Sequence, residues 1–170
     1  DYYRERANGV GTILTACAYV SKNGKGFDGQ MGIDHDGTIK GLTQLANVIH
    51  DGGAKGVVQL YHGGRLAVPR LIPNGETVSA SAVPPLGDRG FYSIEQAPRA
   101  LTTEEVYEVI NDFGEATRRA IEAGFDGIEL HGATGYLLQQ FVSPHSNQRT
   151  DEFENRYLLA LKLIEKVKNV

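Results

Sequence analysis

An imidazole, a hydroxyl and a phenol stand close together at His131, Thr134 and Tyr136, in the segment GFDGIELHGATGYLLQQFVSPHSNQR from Gly124 to Arg149. Between them these groups can donate hydrogen bonds to a developing negative charge and hand over a proton, since a phenol is protonated at neutral pH and serves as a weak general acid. They follow a short buried-strand signal, Phe125 to Leu130, set between a glycine that stops a helix and a polar burst that starts at His131. In folds that alternate parallel strands with helices, ligands bind beyond the carboxyl ends of the strands, which is where this burst falls. A second such place is the end of Gly56 to Tyr61 (GVVQLY), which carries Gln59 and breaks into His62-Gly63-Gly64-Arg65. On position alone Gln59 reads equally well as a ligand-binding amide and as a buried side chain tied to backbone. A lone His after a strand, likewise, more often serves structure than catalysis.

The elements that must carry these groups follow from periodicity. Asp1 to Ala7 is the tail of a helix closed by Asn8-Gly9, and the nearly continuous apolar run Val10 to Val20 predicts a strand covered on both faces. Ser21 to Gly37 is a loop. Ile39, Leu42, Leu45, Ala46 and Ile49 recur at helical spacing up to Asp51-Gly52-Gly53. Residues 66–100 hold five of the six prolines and no period, and are expected to form a lid. Thr102 with Glu105 makes a capping box for a long helix whose buried stripe is Val106, Ile110, Phe113, Thr117, Ala120 and Ile121. A last helix is expected over Asn155 to Val167, with Leu158, Leu161, Ile164 and Val167 inward. Strand and helix thus alternate three times, which predicts an α/β fold with a parallel sheet.

Composition bounds the class. The 170 residues are 41% apolar and 22% charged, with a net charge of -4 and a pI near 5.7, so there is no basic field for nucleic acid. One cysteine, Cys17, allows no internal disulfide, and there is no apolar run of spanning length, so the expected setting is a reducing cytoplasm with no membrane partner. No pair of His or Cys has metal spacing, and no metal is expected. His35, His50 and His145 read as solvated, and Asn147, Arg149 and Asp151 as a polar network that closes a loop.

GVVQLYHGGR, the helix opening LTTEEV, and GFDGIELHGATGYLLQQFVSPHSNQRTDEF followed by ENR together closely resemble the old yellow enzyme family, the FMN-dependent NAD(P)H:flavin oxidoreductases and ene-reductases. The resemblance runs from about Gly9 to the end. It implies a TIM-type (β/α)8 barrel, of which residues 1–170 would supply about half, the second to fourth strands with their helices. It also implies FMN as cofactor, NADH or NADPH as hydride donor and a small-molecule acceptor, with assembly into a homo-oligomer left open. Three departures stand out: Phe153 and Glu154 abut where the family has a Gly-Gly-Ser turn, Ala16 stands where an acidic residue is common, and Thr134 stands where a second His or an Asn is usual.

The family's roles then map onto matching positions. Gln59 would meet the flavin edge, whose alternating acceptors and donor suit a primary amide. His131 would contact the flavin and donate to the acceptor's oxygen, Thr134 would stand in for the second donor on a shorter arm, and Tyr136 would give a proton to the α-carbon. Cys17 would be a small residue packed beside the flavin rather than a nucleophile. Two other classes remain at this level: a TIM-type hydrolase or lyase using His62 and His131 with Glu129, and a non-catalytic half-barrel that only packs against a partner.

Overall fold

A computed structural model of the chain describes residues 1–85 and 97–170. In chain order the strands are β1 (Thr12–Leu14), β2 (Ala18–Tyr19), β3 (Lys55–Tyr61), β4 (Val78–Ser79), β5 (Arg99–Ala100) and β6 (Gly127–Leu130). The helices are α1 (Arg4–Ala7), α2 (Ile39–Asp51), α3 (Thr103–Glu122), α4 (Leu137–Val142) and α5 (Leu158–Lys168). β1, β2 and β6 all pair with β3 and all are parallel to it, in one four-stranded sheet. β6 pairs with Val57 to Leu60, which overlaps the registers of β1 and β2, so those two share the other edge of β3.

The single strand expected over Val10 to Val20 is therefore a strand broken by a bulge. Leu14 pairs with Val57 and Ala18 with Leu60, so four steps on one chain face three on the other. The extra residue lies in Thr15–Cys17, and bulges of this kind concentrate near functional sites because they re-aim side chains. Thr15 repairs the ladder. Its N–H donates to the Val57 carbonyl at 2.9 Å, and its Oγ1 accepts from the Gln59 N–H at 3.4 Å.

The two faces of the sheet differ. Gly56, Val58 and Leu60 point toward the helices: a Cβ on Gly56 would meet Phe125 at 3.3 Å and Ile49 at 3.6 Å, and Val58 and Leu60 are fully buried. This layer holds the core, with Leu42, Ala46 and Ile49 from α2 and Val106, Ile110, Phe113, Ala116 and Ala120 from α3. On the opposite face Leu14 is 44% exposed, Glu129 is exposed, and Val57 and Gln59 are half-buried.

α3 starts as its capping box predicts. Thr102 Oγ1 accepts from the Glu105 N–H at 3.2 Å, Glu105 accepts from the Thr102 N–H at 2.8 Å, and Arg99 clamps the same carboxylate. Ile121 departs from the expected stripe and is 57% exposed, its place taken by Val109 and Ala116 one step round the helix. α5 also differs in phase. Leu159 and Leu163 are buried, whereas Leu161 and Ile164 are 59% and 48% exposed. A Cβ on Gly114 of α3 would strike the stem of Lys166, so the two helices pack closely there and that contact selects the buried stripe. Phe153 and Glu154, which abut in sequence, lie in a 3-10 turn over Glu152–Glu154 that Asp151 caps, with the Phe153 ring fully buried.

The expected lid lies partly outside the described residues, since 86–96 are not among them. What is described has form: three 3-10 turns between Gly64 and Gly75, then β4 paired in parallel with β5. Asn147, Arg149 and Asp151 make the network that anchors this pair. Arg149 Nη1 donates to the carbonyls of Ala80 and Leu101, its Nη2 pairs with Asp151 at 2.5 Å, and Asn147 donates to the Phe141 and Phe153 carbonyls. His50, read as solvated, is exposed and also paired: its Nε2 lies 2.7 Å from Asp126, which also takes Lys55 and the Gly56 N–H. Those partners, Lys55 foremost, hold the Asp126 carboxyl well below the usual carboxylate range.

Candidate functional site

The carboxyl ends of β3 and β6 bring Gln59, Tyr61, Glu129 and His131 onto the open face. Gln59 and Glu129 are register partners, and a strand's alternation then puts Tyr61 and His131 on the same side. Gln59 Nε2 donates to Glu129 Oε1 at 2.9 Å. The amide is thus held by a side chain across the sheet. A primary amide has two N–H donors and a two-lone-pair oxygen, so one N–H and the whole of Oε1 still face the open side.

His131 caps the end of β6, its N–H donating to the Leu60 carbonyl at 3.0 Å. Its Nδ1 accepts from the Ala133 N–H at 3.3 Å, which leaves the ring proton on Nε2 as an outward donor. Burial lowers its pKa from the ordinary value, against the opposing pull of Glu129. The ring stands edge-on to Tyr136, with centroids 5.0 Å apart at 84°, and Tyr61 backs both, 5.8 Å from His131 and 4.5 Å from Tyr136. Tyr61 is fully buried. Sequence reasoning passed over it, although its place two residues after Gln59 at the strand end was the signal available.

Thr134 and Gly135 both take the left-handed conformation, with φ of 63° and 82°. Glycine adopts this freely, whereas for a β-branched residue it is an outlier. Thr134 is exposed and lines a polar cavity of about 370 Å³ with Arg65, Gln139, Gln140, Ser143 and Ser146. The Gly135 peptide is gripped at both ends: Gln139 accepts from its N–H, and Gln140 donates to its carbonyl at 2.7 Å.

Cys17 lies at the bulge, half-buried, with Gln30 Nε2 3.4 Å from its sulfur. Burial raises the thiol pKa, which suits a packing residue. His62 is locked away from the open face. It is fully buried, Nδ1 accepts from the Gly64 N–H at 3.0 Å, Nε2 faces Asn23 Oδ1 at 3.2 Å, and burial brings its pKa down to about 4. Arg65 extends to the segment after β4, where its Nη1 donates to the Val83 and Pro84 carbonyls. The grouping of His62, His131 and Glu129 that a hydrolase would need is not assembled: His62 is tied to backbone and Asn23, and Glu129 is engaged with Gln59. Among the described residues, no group of three or more His, Cys, Asp or Glu is arranged to hold a metal ion.

The model of the NADH:flavin oxidoreductase / NADH oxidase family matches residues 1–170. A probable NADH-dependent flavin oxidoreductase, YqiG of Bacillus subtilis, is 48% identical over 172 residues, covering 99% of this chain and 44% of its own length. NADH:acrylate oxidoreductase of Vibrio harveyi is 43% identical over 174 residues, with 100% of this chain and 17% of that protein covered. Among solved structures, morphinone reductase in complex with tetrahydroNAD superposes with a TM-score of 0.90 at 30% identity, over 99% of this chain and 50% of that one. The chain thus spans about half the length of YqiG and of morphinone reductase, and carries half of a (β/α)8 barrel. It belongs to the NADH:flavin oxidoreductase / NADH oxidase family, the old yellow enzyme family.

Proposed function

We propose that the chain provides half of an FMN-dependent oxidoreductase that takes hydride from NADH or NADPH and passes it to an activated alkene or to another acceptor such as oxygen or a quinone. One observation carries this reading: a Gln amide and an imidazole stand at neighbouring strand ends on one open sheet face, with a phenol packed edge-on against the imidazole. The residues fit a flavin's pyrimidine edge, because Gln59 keeps one N–H and its carbonyl oxygen for that edge after Glu129 has taken the other N–H. Cys17, small and half-buried at the bulge, leaves room for a ring to pass.

A bound flavin supplies temporary storage of the hydride between donor and acceptor. The protein groups do the rest. As hydride reaches an alkene's β-carbon, charge grows on the conjugated oxygen, and the His131 Nε2–H donates to it; one such donor typically contributes ~3 kcal/mol to the transition state. Tyr136 supplies the proton to the α-carbon, its ring held in place against Tyr61. Thr134 offers a second, weaker donor. The acceptor is a small molecule. A lone cysteine points to a reducing cytoplasm, and no helix among the described residues is long and apolar enough to cross a membrane.

The test is the absorbance spectrum of the purified protein and its titration with FMN. Non-covalent FMN binding is expected, and Gln59→Leu should weaken it by ~1–3 kcal/mol, the cost of a buried polar edge left without its partner. Both are measured on the protein with its whole barrel: equal FMN affinity in the two proteins would remove Gln59 from the site, and absence of flavin binding by the wild type would sink the reading as a whole.

A further inference from the structure

Gln140 takes no part in the chemistry above, yet it is the most fully bonded side chain near the site. Only 1% exposed within α4, its Oε1 accepts from the Arg65 N–H at 3.1 Å and from Ser79 Oγ at 3.0 Å. Its Nε2 donates to the Gly63 carbonyl at 3.2 Å and to the Gly135 carbonyl at 2.7 Å. Both lone pairs and both protons of the amide are used, the full capacity of the group. The four partners lie on three separate segments. Gly63 and Arg65 belong to the turn after β3, Gly135 to the loop that carries Thr134 and Tyr136, and Ser79 to the base of the lid. Gly64 passes so close that a Cβ there would sit 2.3 Å from Gln140 Oε1.

We propose that Gln140 is a positioning residue through which the seat of the lid at Ser79 sets the orientation of the loop bearing Thr134 and Tyr136. The Gly135 carbonyl shares its peptide with the Tyr136 nitrogen, so the bond from Gln140 Nε2 fixes the plane from which the phenol departs. Oε1 joins the lid to the turn after β3 in the same amide. A shift of Ser79 therefore turns the amide plane, and the amide plane carries the Gly135 peptide with it. Apolar packing could hold these segments together but would not set a direction, whereas a saturated amide does.

Two variants of the holoprotein test this. Gln140→Glu keeps the shape but, as a carboxylate, cannot donate to the Gly63 and Gly135 carbonyls; Ser79→Ala removes the lid arm alone and leaves Gln140 intact should the first variant fold poorly. Hydrogen exchange is the readout that does not depend on activity: amide exchange over residues 133–137 is expected to rise at least threefold in both variants, and in Ser79→Ala together with 77–81. The kinetic arm rests on the oxidoreductase reading. There kcat for an enone should fall about tenfold while KM for the nicotinamide donor and FMN affinity stay within threefold. Faster exchange in Ser79→Ala confined to 77–81, or equal losses in kcat and FMN affinity, would overturn the proposal. Absence of enone turnover in the wild type would count against the oxidoreductase reading alone and leave the exchange arm standing.

Discussion

Thr134 holds a left-handed backbone that its side chain opposes, so a substitution at this position should change stability and chemistry together. A left-handed L-residue costs ~1–2 kcal/mol, and a β-branched one lies at the unfavourable end. At φ 63° Thr134 carries that cost in the folded state only, and its exposed hydroxyl makes no hydrogen bond among the described residues to offset it. Asn tolerates this conformation, so Thr134→Asn is expected to stabilise the protein by about 1 kcal/mol, which for a chain of this size raises Tm by roughly 2–4 °C. Thr134→Gly should gain less, because glycine returns ~0.5–1 kcal/mol as added freedom of the unfolded chain.

The same Asn places an amide donor at the position where the family usually has a second His or an Asn, three residues after His131. Stopped-flow oxidation of the reduced flavoprotein by cyclohexenone and by oxygen should then shift toward the enone in Thr134→Asn. Wild type, with its shorter hydroxyl arm, should lose more of its reducing equivalents to oxygen. Two results would refute the reasoning, each on its own ground. Thermal unfolding that shows neither variant above wild type would mean the backbone at 134 is not strained. An unchanged ratio of the two oxidation rates would mean that this side chain does not reach the acceptor.

His131→Ala should lower enone turnover about a hundredfold, from the loss of one charge-stabilising donor, while flavin reduction by the nicotinamide donor stays within a few-fold; equal losses in both half-reactions would refute the assignment. His62 makes stability depend on pH: its pKa falls from 6.5 to about 4 on folding, so its contribution is complete above pH 6.5, is lost as pH falls toward 4, and stays constant below. For a fully buried ring this amounts to about 3 kcal/mol; urea unfolding of wild type and His62→Gln should diverge in that window, and parallel curves would contradict it. Arg149→Met leaves Asp151 and the Ala80 and Leu101 carbonyls without their partner and should cost about 3 kcal/mol or more, read as a fall in Tm, whereas a loss under 1 kcal/mol would show that water replaces the guanidinium.

Much of the scaffold was legible because its signals are local. The capping box of α3, the stripe of α2 and the glycine stops at Gly53 and Gly124, both at positive φ, each follow from a few neighbouring residues. What was not legible depends on a partner distant in sequence. The apolar run through Thr15–Cys17 gives no sign of a bulge, which appears only when β1 and β2 are counted against β3. LLALKLI allows two helical stripes, and the approach of Lys166 to Gly114 selects the one that buries Leu159 and Leu163. The candidate site residues are named through family motifs, but not their means of support. Nothing near Gln59 in sequence announces Glu129, seventy positions away, and the left-handed turn at Thr134 contradicts the preference of the residue that occupies it.

Gln140 did leave a trace, a polar residue in a stripe otherwise made of Leu137, Leu138 and Phe141, all buried. In a helix this short a buried amide without partners would be costly, so its presence implies partners close by. Those partners turn out to be loop backbone. The sheet's helical face is closed by side chains that interdigitate, and such packing fixes distances between elements. The loops at the strand ends have no comparable apolar cover, since the face they surround is open from Leu14 to Glu129. Their geometry is set by two polar hubs in its place: Arg149, which joins the Ala80 and Leu101 carbonyls to Asp151, and Gln140, which joins Ser79 and the turn after β3 to Gly135. Arg149 is charged, whereas the neutral Gln140 is the one bonded to the carbonyl next to Tyr136. A neutral hub there adds no charge of its own beside His131 and Tyr136, as the proposed chemistry, in which charge develops on the acceptor, requires.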